Sequence, residues 1–127
     1  MNFKDSPAFA SFSVDDTQKA KDFYGKTLGL PVTDEIMGTL SIEMNGARTM
    51  IYPKPDHKAA TFTVLNFPVD NVEQTVDELS SKGVKFERYR EFKQDAKGIS
   101  IDERGPKMAW FKDPAGNIIS VLETKAA

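Results

Sequence analysis

Ala109-Trp110-Phe111-Lys112-Asp113-Pro114-Ala115-Gly116-Asn117 is a strand that runs into a tight turn. Up to Lys112 the residues are bulky, and Met108 and Trp110 alternate with Ala109 and Phe111, the period of a pleated strand. Proline then fixes one backbone angle, glycine accepts a left-handed conformation, and Asp and Asn side chains can bond back to the turn. Strand character resumes after Asn117, so residues 107–112 and 117–123 are expected to form a hairpin. A second hairpin signal lies upstream. Asn45-Gly46 sits between the strand-like stretches 39–44 and 47–53, and both turn residues tolerate positive φ. Gly46 and Gly116 therefore mark equivalent points in two similar halves.

The rest of each half fits the same plan. Residues 7–14 alternate, with Ala8, Ala10, Phe12 and Val14 on one face and Phe9, Ser11 and Ser13 on the other. Asp15 or Asp16 caps a helix whose inner stripe is Ala20, Phe23, Tyr24 and Thr27/Leu28, and Gly29 before Leu30-Pro31 ends it. A strand at 31–37 and a turn at Gly38 lead to the hairpin. In the second half, residues 60–69 alternate, and Asp70 or Asn71 caps a helix carrying Val72, Val76 and Leu79, closed by Gly83. A strand is expected at 84–91. Val14-Asp15 matches Val69-Asp70, but the matched glycines lie further apart than these pairs. The surplus falls around Gln94 to Gly105, expected as a longer strand pair or a loop over one end of the sheet. Two βαβββ units without a linker rich in Pro, Ser or Gly indicate a fused internal repeat.

Composition narrows the function. The chain has 127 residues, 39% hydrophobic and 28% charged, which suits one globular domain. The net charge of −2 comes with no Lys/Arg cluster, so nucleic acid is not an expected partner. No apolar run approaches the length of a membrane span, and the residues after Met1 do not read as a secretory signal, so a cytoplasmic protein is expected. There is no cysteine, which excludes disulfides, thiolate nucleophiles and thiolate zinc sites. There is one histidine, His57, so no site can draw two histidines from a single chain.

These segments resemble the vicinal oxygen chelate superfamily, which includes glyoxalase, bleomycin-resistance proteins, fosfomycin-resistance enzymes and extradiol dioxygenases. The carriers are Ser13-Val14-Asp15-Asp16, Ala20-Lys21-Asp22-Phe23-Tyr24 with Leu28-Gly29-Leu30, and Ala109 to Asn117. The resemblance implies an α+β fold of two βαβββ modules, 7–54 and 60–123, whose mixed sheets are cupped into a U-shaped wall around a cavity. It also implies a homodimer, which would cover exposed strand edges. In metal-dependent members the ligands sit on the concave faces. Carried over residue by residue, those positions are Phe9, Met50, Val64 and Ser120. Phenylalanine and valine offer no lone pair, and thioether or hydroxyl groups are poor ligands for a hard cation. No metal and no other cofactor is therefore expected. Glu123 lies near the last ligand position but alternates to the other face.

On the concave side, alternation places Phe9, Ser11, Arg48, Met50 and Tyr52 in the first module. In the second it places Phe62, Val64, Asn66, Met108, Trp110, Ile118, Ser120 and Leu122. Arg48, Met50, Tyr52, Phe62, Asn66, Trp110 and Ser120 are the candidate ligand contacts, with Trp110 as a platform for a planar ring. The bland alternative is that these side chains only fill the space between sheets. Tyr52-Pro53-Lys54-Pro55-Asp56-His57 leaves the first module as a stiff segment, and His57, the one histidine, is a candidate for acid–base work there. Lys54 and Arg104 are further cations near the expected cavity. The expected function is binding of a small, partly aromatic molecule without a metal. The alternatives are a lyase, isomerase or dioxygenase with a displaced metal site or with acid–base chemistry from His57, Tyr52 or Glu123, and a dimerising module without a ligand.

Overall fold

Asp16 and Asn71 start the two helices in the same way. The Asp16 carboxylate accepts the Lys19 N–H at 3.1 Å, and the Asn71 side-chain oxygen accepts the Gln74 N–H at 2.9 Å. Each satisfies a donor that the first helical turn leaves free. In a computed structural model that describes residues 2–124, the chain divides into two compact units that part between His57 and Lys58. Among the described residues no helix is long and apolar enough to cross a membrane.

The first unit contains β1 (Ala10–Val14), α1 (Thr17–Asp22), β2 (Val32–Asp34), β3 (Leu40–Met44) and β4 (Ala47–Pro53). The strand order is β1-β4-β3-β2, with β1 parallel to β4 and the other pairs antiparallel. Phe12, Val14, Thr49 and Ile51 are buried, and Tyr24 lies 6.1 Å from Phe12, centroid to centroid. The helix does not run on regularly to Gly29. Phe23–Thr27 forms one π-helical turn, with the Leu28 N–H on the Phe23 carbonyl at 2.9 Å. The wider turn seats Tyr24 in the core with Phe23 edge-on at 5.2 Å. The expected strand at 31–37 stops at Asp34, because Ile36–Gly38 closes a 3₁₀ turn in which Met37 has φ 57°. Asn45 and Gly46 turn the β3–β4 hairpin with φ of 51° and 83°.

The second unit contains β5 (Thr63–Pro68), α2 (Val72–Ser81), β6 (Met108–Lys112) and β7 (Ile118–Leu122), in the sheet order β5-β7-β6. β5 is parallel to β7, and β6 is antiparallel to it. Val72, Val76 and Leu79 are buried, as are Ala109, Phe111, Ile119 and Val121 on one face of the hairpin. The hairpin turn is tied by Asp113. Its carboxylate accepts the N–H groups of Ala115 and Asn117 at 3.0 and 2.8 Å and the Asn117 side-chain amide at 3.0 Å.

Two expectations fail here. Residues 84–91 do not form a strand. Their backbone meets the sheet through an isolated bridge, Phe86 to Phe111, and the Glu87 N–H on the Trp110 carbonyl at 2.7 Å. β5 also does not alternate strictly. Thr63 pairs with Ile118 and Leu65 with Ile119, so Val64 is an extra residue in a bulge. Together the units show the α+β architecture with two mixed sheets.

Candidate functional site

On the first unit one sheet face carries exposed Ser11, Arg48 and Tyr52. The register puts Ser11 beside Met50 and Met50 beside Ser41, and it puts Ser13 beside Tyr52. Arg48 and Tyr52 are exposed and Met50 is half-buried, so these three candidates do share a face. The Arg48 guanidinium carbon sits 4.8 Å from the centre of the Phe9 ring, and Arg48 forms no ion pair with the described residues. His57 is brought to the same sheet. Its Nδ1 lies 2.6 Å from the Ser13 hydroxyl, while its backbone N–H donates to the Lys54 carbonyl at 2.9 Å and the Lys54 backbone N–H to the Val14 carbonyl at 2.9 Å. The Pro-broken segment is thus folded back onto the end of β1. The Lys54 ammonium is paired with Asp56 at 2.6 Å, and it holds that carboxyl below its usual range.

The second unit encloses more. Asn66, Ser120 and Trp110 form one row across β5, β7 and β6, as strand alternation requires. The Ser120 hydroxyl, fully buried, donates to the Asn66 side-chain oxygen at 2.6 Å. Trp110 is only 5% exposed, because the segment after α2 folds over it. Phe92 stacks on the indole at 4.7 Å and 21°, and Tyr89 meets it edge-on at 5.5 Å and 84°. The expected free platform therefore already carries a ring of the protein itself. Beside this cluster is a cavity of about 470 Å³, lined by Thr61, Phe62, Thr63, Tyr89, Glu91, Phe92, Trp110 and Ile118. Thr63 stands where alternation would place Val64, a consequence of the bulge. Phe62 is 67% exposed.

Tyr89 and Phe92 are absent from the sequence-based candidates, Tyr89 because 84–91 reads as a strand and Phe92 because it falls just after that strand, before the surplus segment. Phe86, Tyr89 and Phe92 recur every third residue in a stretch otherwise dominated by charge. A period of three does not suit a strand, and that was the available signal. The Tyr89 hydroxyl oxygen is buried and has no hydrogen-bond partner among the described residues. Burial raises its pKa, and the nearby carboxylates of Glu87 and Glu91 raise it further. Arg104 lies instead against Asp102, with a bidentate contact of 3.1 and 2.8 Å that holds this carboxyl at a pKa of about 2. Arg104 and Glu123 share a separate cavity in this unit.

The residues at the positions that the resemblance assigns to metal ligands are poor donors for a hard cation. Phe9 supplies no lone pair, Met50 offers a thioether, the Ser120 hydroxyl is committed to Asn66, and the bulge sets Thr63, with a lone hydroxyl, where alternation would place Val64. Among the described residues no three His, Asp or Glu side chains come together as a ligand group.

Sequence and structure comparisons agree with this architecture. The family profile described as Glyoxalase/Bleomycin resistance protein/Dioxygenase superfamily matches residues 7–121. The chain belongs to that superfamily. It is 31% identical, over 87% of its length and 91% of the relative's, to the uncharacterized protein YraH of Bacillus subtilis (strain 168). A Bacillus anthracis structure described as a glyoxalase family protein superposes with a TM-score of 0.76 at 17% identity, over 98% of this chain and 99% of the other. A lactoylglutathione lyase from Agrobacterium tumefaciens gives 0.69 at 16%, over 91% and 92%. At such identities the likeness concerns the fold, which hosts several chemistries.

Proposed function

We propose that this protein binds a small, flat, partly aromatic molecule in the cavity of its second unit and holds no resident metal. The observation that carries this is the cavity itself. Its volume falls within the roughly 300–1,000 Å³ usual for small-molecule sites, and four of its eight lining residues are aromatic. Rings of this kind offer large apolar area and prefer stacked or edge-on partners. The poor donor set at Phe9, Met50, Val64 and Ser120 supports the metal-free part. Arg48 and Tyr52, exposed on the first unit, are candidate contacts for a polar or anionic group on that unit itself. We also read the chain as a cytoplasmic homodimer, a size that light scattering would give as twice 14.1 kDa.

Trp110 is the only tryptophan, so its fluorescence reports on one place. Titration with a panel of aromatic metabolites and drugs is expected to quench or shift its emission. A signal indifferent to every compound, in a Trp110 also inaccessible to acrylamide, would overturn the binding reading. Elemental analysis of untagged protein is expected to give substoichiometric divalent metal, and about one Zn, Mn, Ni or Fe per chain would overturn the metal-free part.

One observation favours an enzyme as second reading, the 2.6 Å contact between Ser13 and His57 on the accessible face. A histidine held through one ring nitrogen has a fixed orientation for proton transfer. Loss of a measurable turnover in His57→Ala, with binding intact, would separate this reading from the first.

A further inference from the structure

We propose that Phe92 is a built-in stand-in for the ligand: its ring holds the place on Trp110 that is taken by a flat ring bearing a hydrogen-bond acceptor, and Tyr89 donates to that acceptor. This rests on the small-molecule reading above and names the class of molecule and the residue that yields to it.

Three observations converge. First, Phe92 is 44% exposed, yet it lies flat on a tryptophan that is otherwise buried. A half-solvated ring gains little from burial, so its hold on Trp110 is mainly the stacking contact, which any flat aromatic ring can supply. Second, the Tyr89 hydroxyl is buried without an acceptor. A buried donor left unsatisfied destabilises the closed arrangement, and a ligand oxygen or nitrogen would remove that penalty. The raised pKa of Tyr89 keeps the phenol protonated, hence a donor, throughout the neutral range. Third, the backbone is pinned on both sides of Phe92, so that its side chain can turn without moving its neighbours. Gln94 accepts the Tyr89 N–H at 2.8 Å and donates to the carbonyls of Glu87 and Gly98 at 2.9 and 2.8 Å, and the Ile101 N–H donates to the Lys93 carbonyl at 2.9 Å. The turn between is closed by one long bond, Phe92 N–H to the Tyr89 carbonyl at 3.2 Å. Rotation of the Phe92 side chain toward solvent thus leaves the scaffold around Tyr89 in place. The adjoining cavity, with Thr61, Phe62 and Thr63 on its wall, provides the room.

A stand-in competes with the ligand, so the apparent affinity is lowered by the fraction of molecules in which it is seated. The test titrates the full chain with 1-indanone, a flat ring with a carbonyl acceptor, and with indane, the same skeleton without one, following Trp110 fluorescence. Phe92→Ala is expected to bind both probes about tenfold more tightly, with Trp110 emission red-shifted in the free protein. Tyr89→Phe is expected to weaken 1-indanone about 3–10-fold while leaving indane within about twofold. Weaker or unchanged binding of 1-indanone by Phe92→Ala would make Phe92 part of the wall and overturn the stand-in. Equal losses of both probes in Tyr89→Phe would overturn its role as donor. Should Phe92→Ala fail to fold, Phe92→Leu keeps an apolar side chain but cannot stack flat, and a gain of the same sign is required. If the wild-type chain and all variants ignore both probes, the small-molecule reading itself falls; binding by wild type with the wrong sign in the variants condemns the stand-in alone.

Discussion

The two units place matched positions of the same plan in opposite environments. By the overlay of Gly46 on Gly116, Arg48 corresponds to Ile118, Met50 to Ser120 and Tyr52 to Leu122. In the first unit these positions are exposed or half-buried. In the second, Ile118 and Ser120 are buried. The difference follows from what lies over the sheet. The second unit's surplus residues let the chain after α2 bring Tyr89 and Phe92 back over Trp110, and no such segment follows α1. A covered face admits an apolar residue and a buried serine bonded to Asn66. An accessible face carries an arginine and a tyrosine, whose polar ends remain in water. Repetition therefore fixes the strands, while the connections decide which sheet becomes an aromatic cavity and which stays a polar surface.

Substitutions at contrasted positions test this directly. Trp110→Ala is expected to destabilise the protein by about 3–5 kcal/mol in urea unfolding, because a buried, stacked indole leaves a large void. Arg48→Ala, exposed on the first unit, is expected to change stability by less than about 0.5 kcal/mol. Similar losses at the two positions would erase the distinction between covered and accessible faces. The two hairpin turns give a smaller contrast. Asp113→Ala removes acceptors from two backbone N–H groups and one amide in a buried turn, at a cost of about 3 kcal/mol. Asn45→Ala only forces alanine into the left-handed region at φ 51°, at about 1 kcal/mol. Thermal unfolding of both variants should rank them in that order. Ser13→Ala, which removes the hydroxyl beside His57, is expected to cost about 1 kcal/mol.

Local signals explain what the sequence revealed. Asp113-Pro114-Ala115-Gly116-Asn117 and Asn45-Gly46 announce their turns, Asp16 and Asn71 lie within the expected cap pairs, and alternation correctly groups Asn66, Ser120 and Trp110. Such features depend on neighbours along the chain. The bulge at Val64 does not, because it is a matter of pairing with β7, and so alternation alone does not place Thr63 at the cavity. The cover over Trp110 was hidden for a similar reason. Phe92 finds its partner far along the chain, and the polar residues around it resemble those of any exposed loop. The site was thus legible in its sheet and illegible in its roof.

Tyr89 offers the finest test of that roof. Its folded pKa is raised above the ordinary value of 10.0, first by burial and then by repulsion from Glu87 and Glu91. A phenol favours its neutral form in such surroundings. The sign of the linkage follows: the contribution to stability is fully present below the unfolded pKa and is lost as pH rises through the folded one. Alkaline titration of tyrosinate absorbance should therefore contain a component above pH 10 that disappears in Tyr89→Phe, whereas removal of a phenol ionising at 10 or below would show Tyr89 to be solvated. In Phe92→Ala the same component should shift down toward 10, since opening the ring stack admits water to the phenol. A component unmoved by Phe92→Ala would mean that the burial of Tyr89 owes nothing to Phe92, and the contrast with the accessible sheet of the first unit would then rest on Trp110 alone.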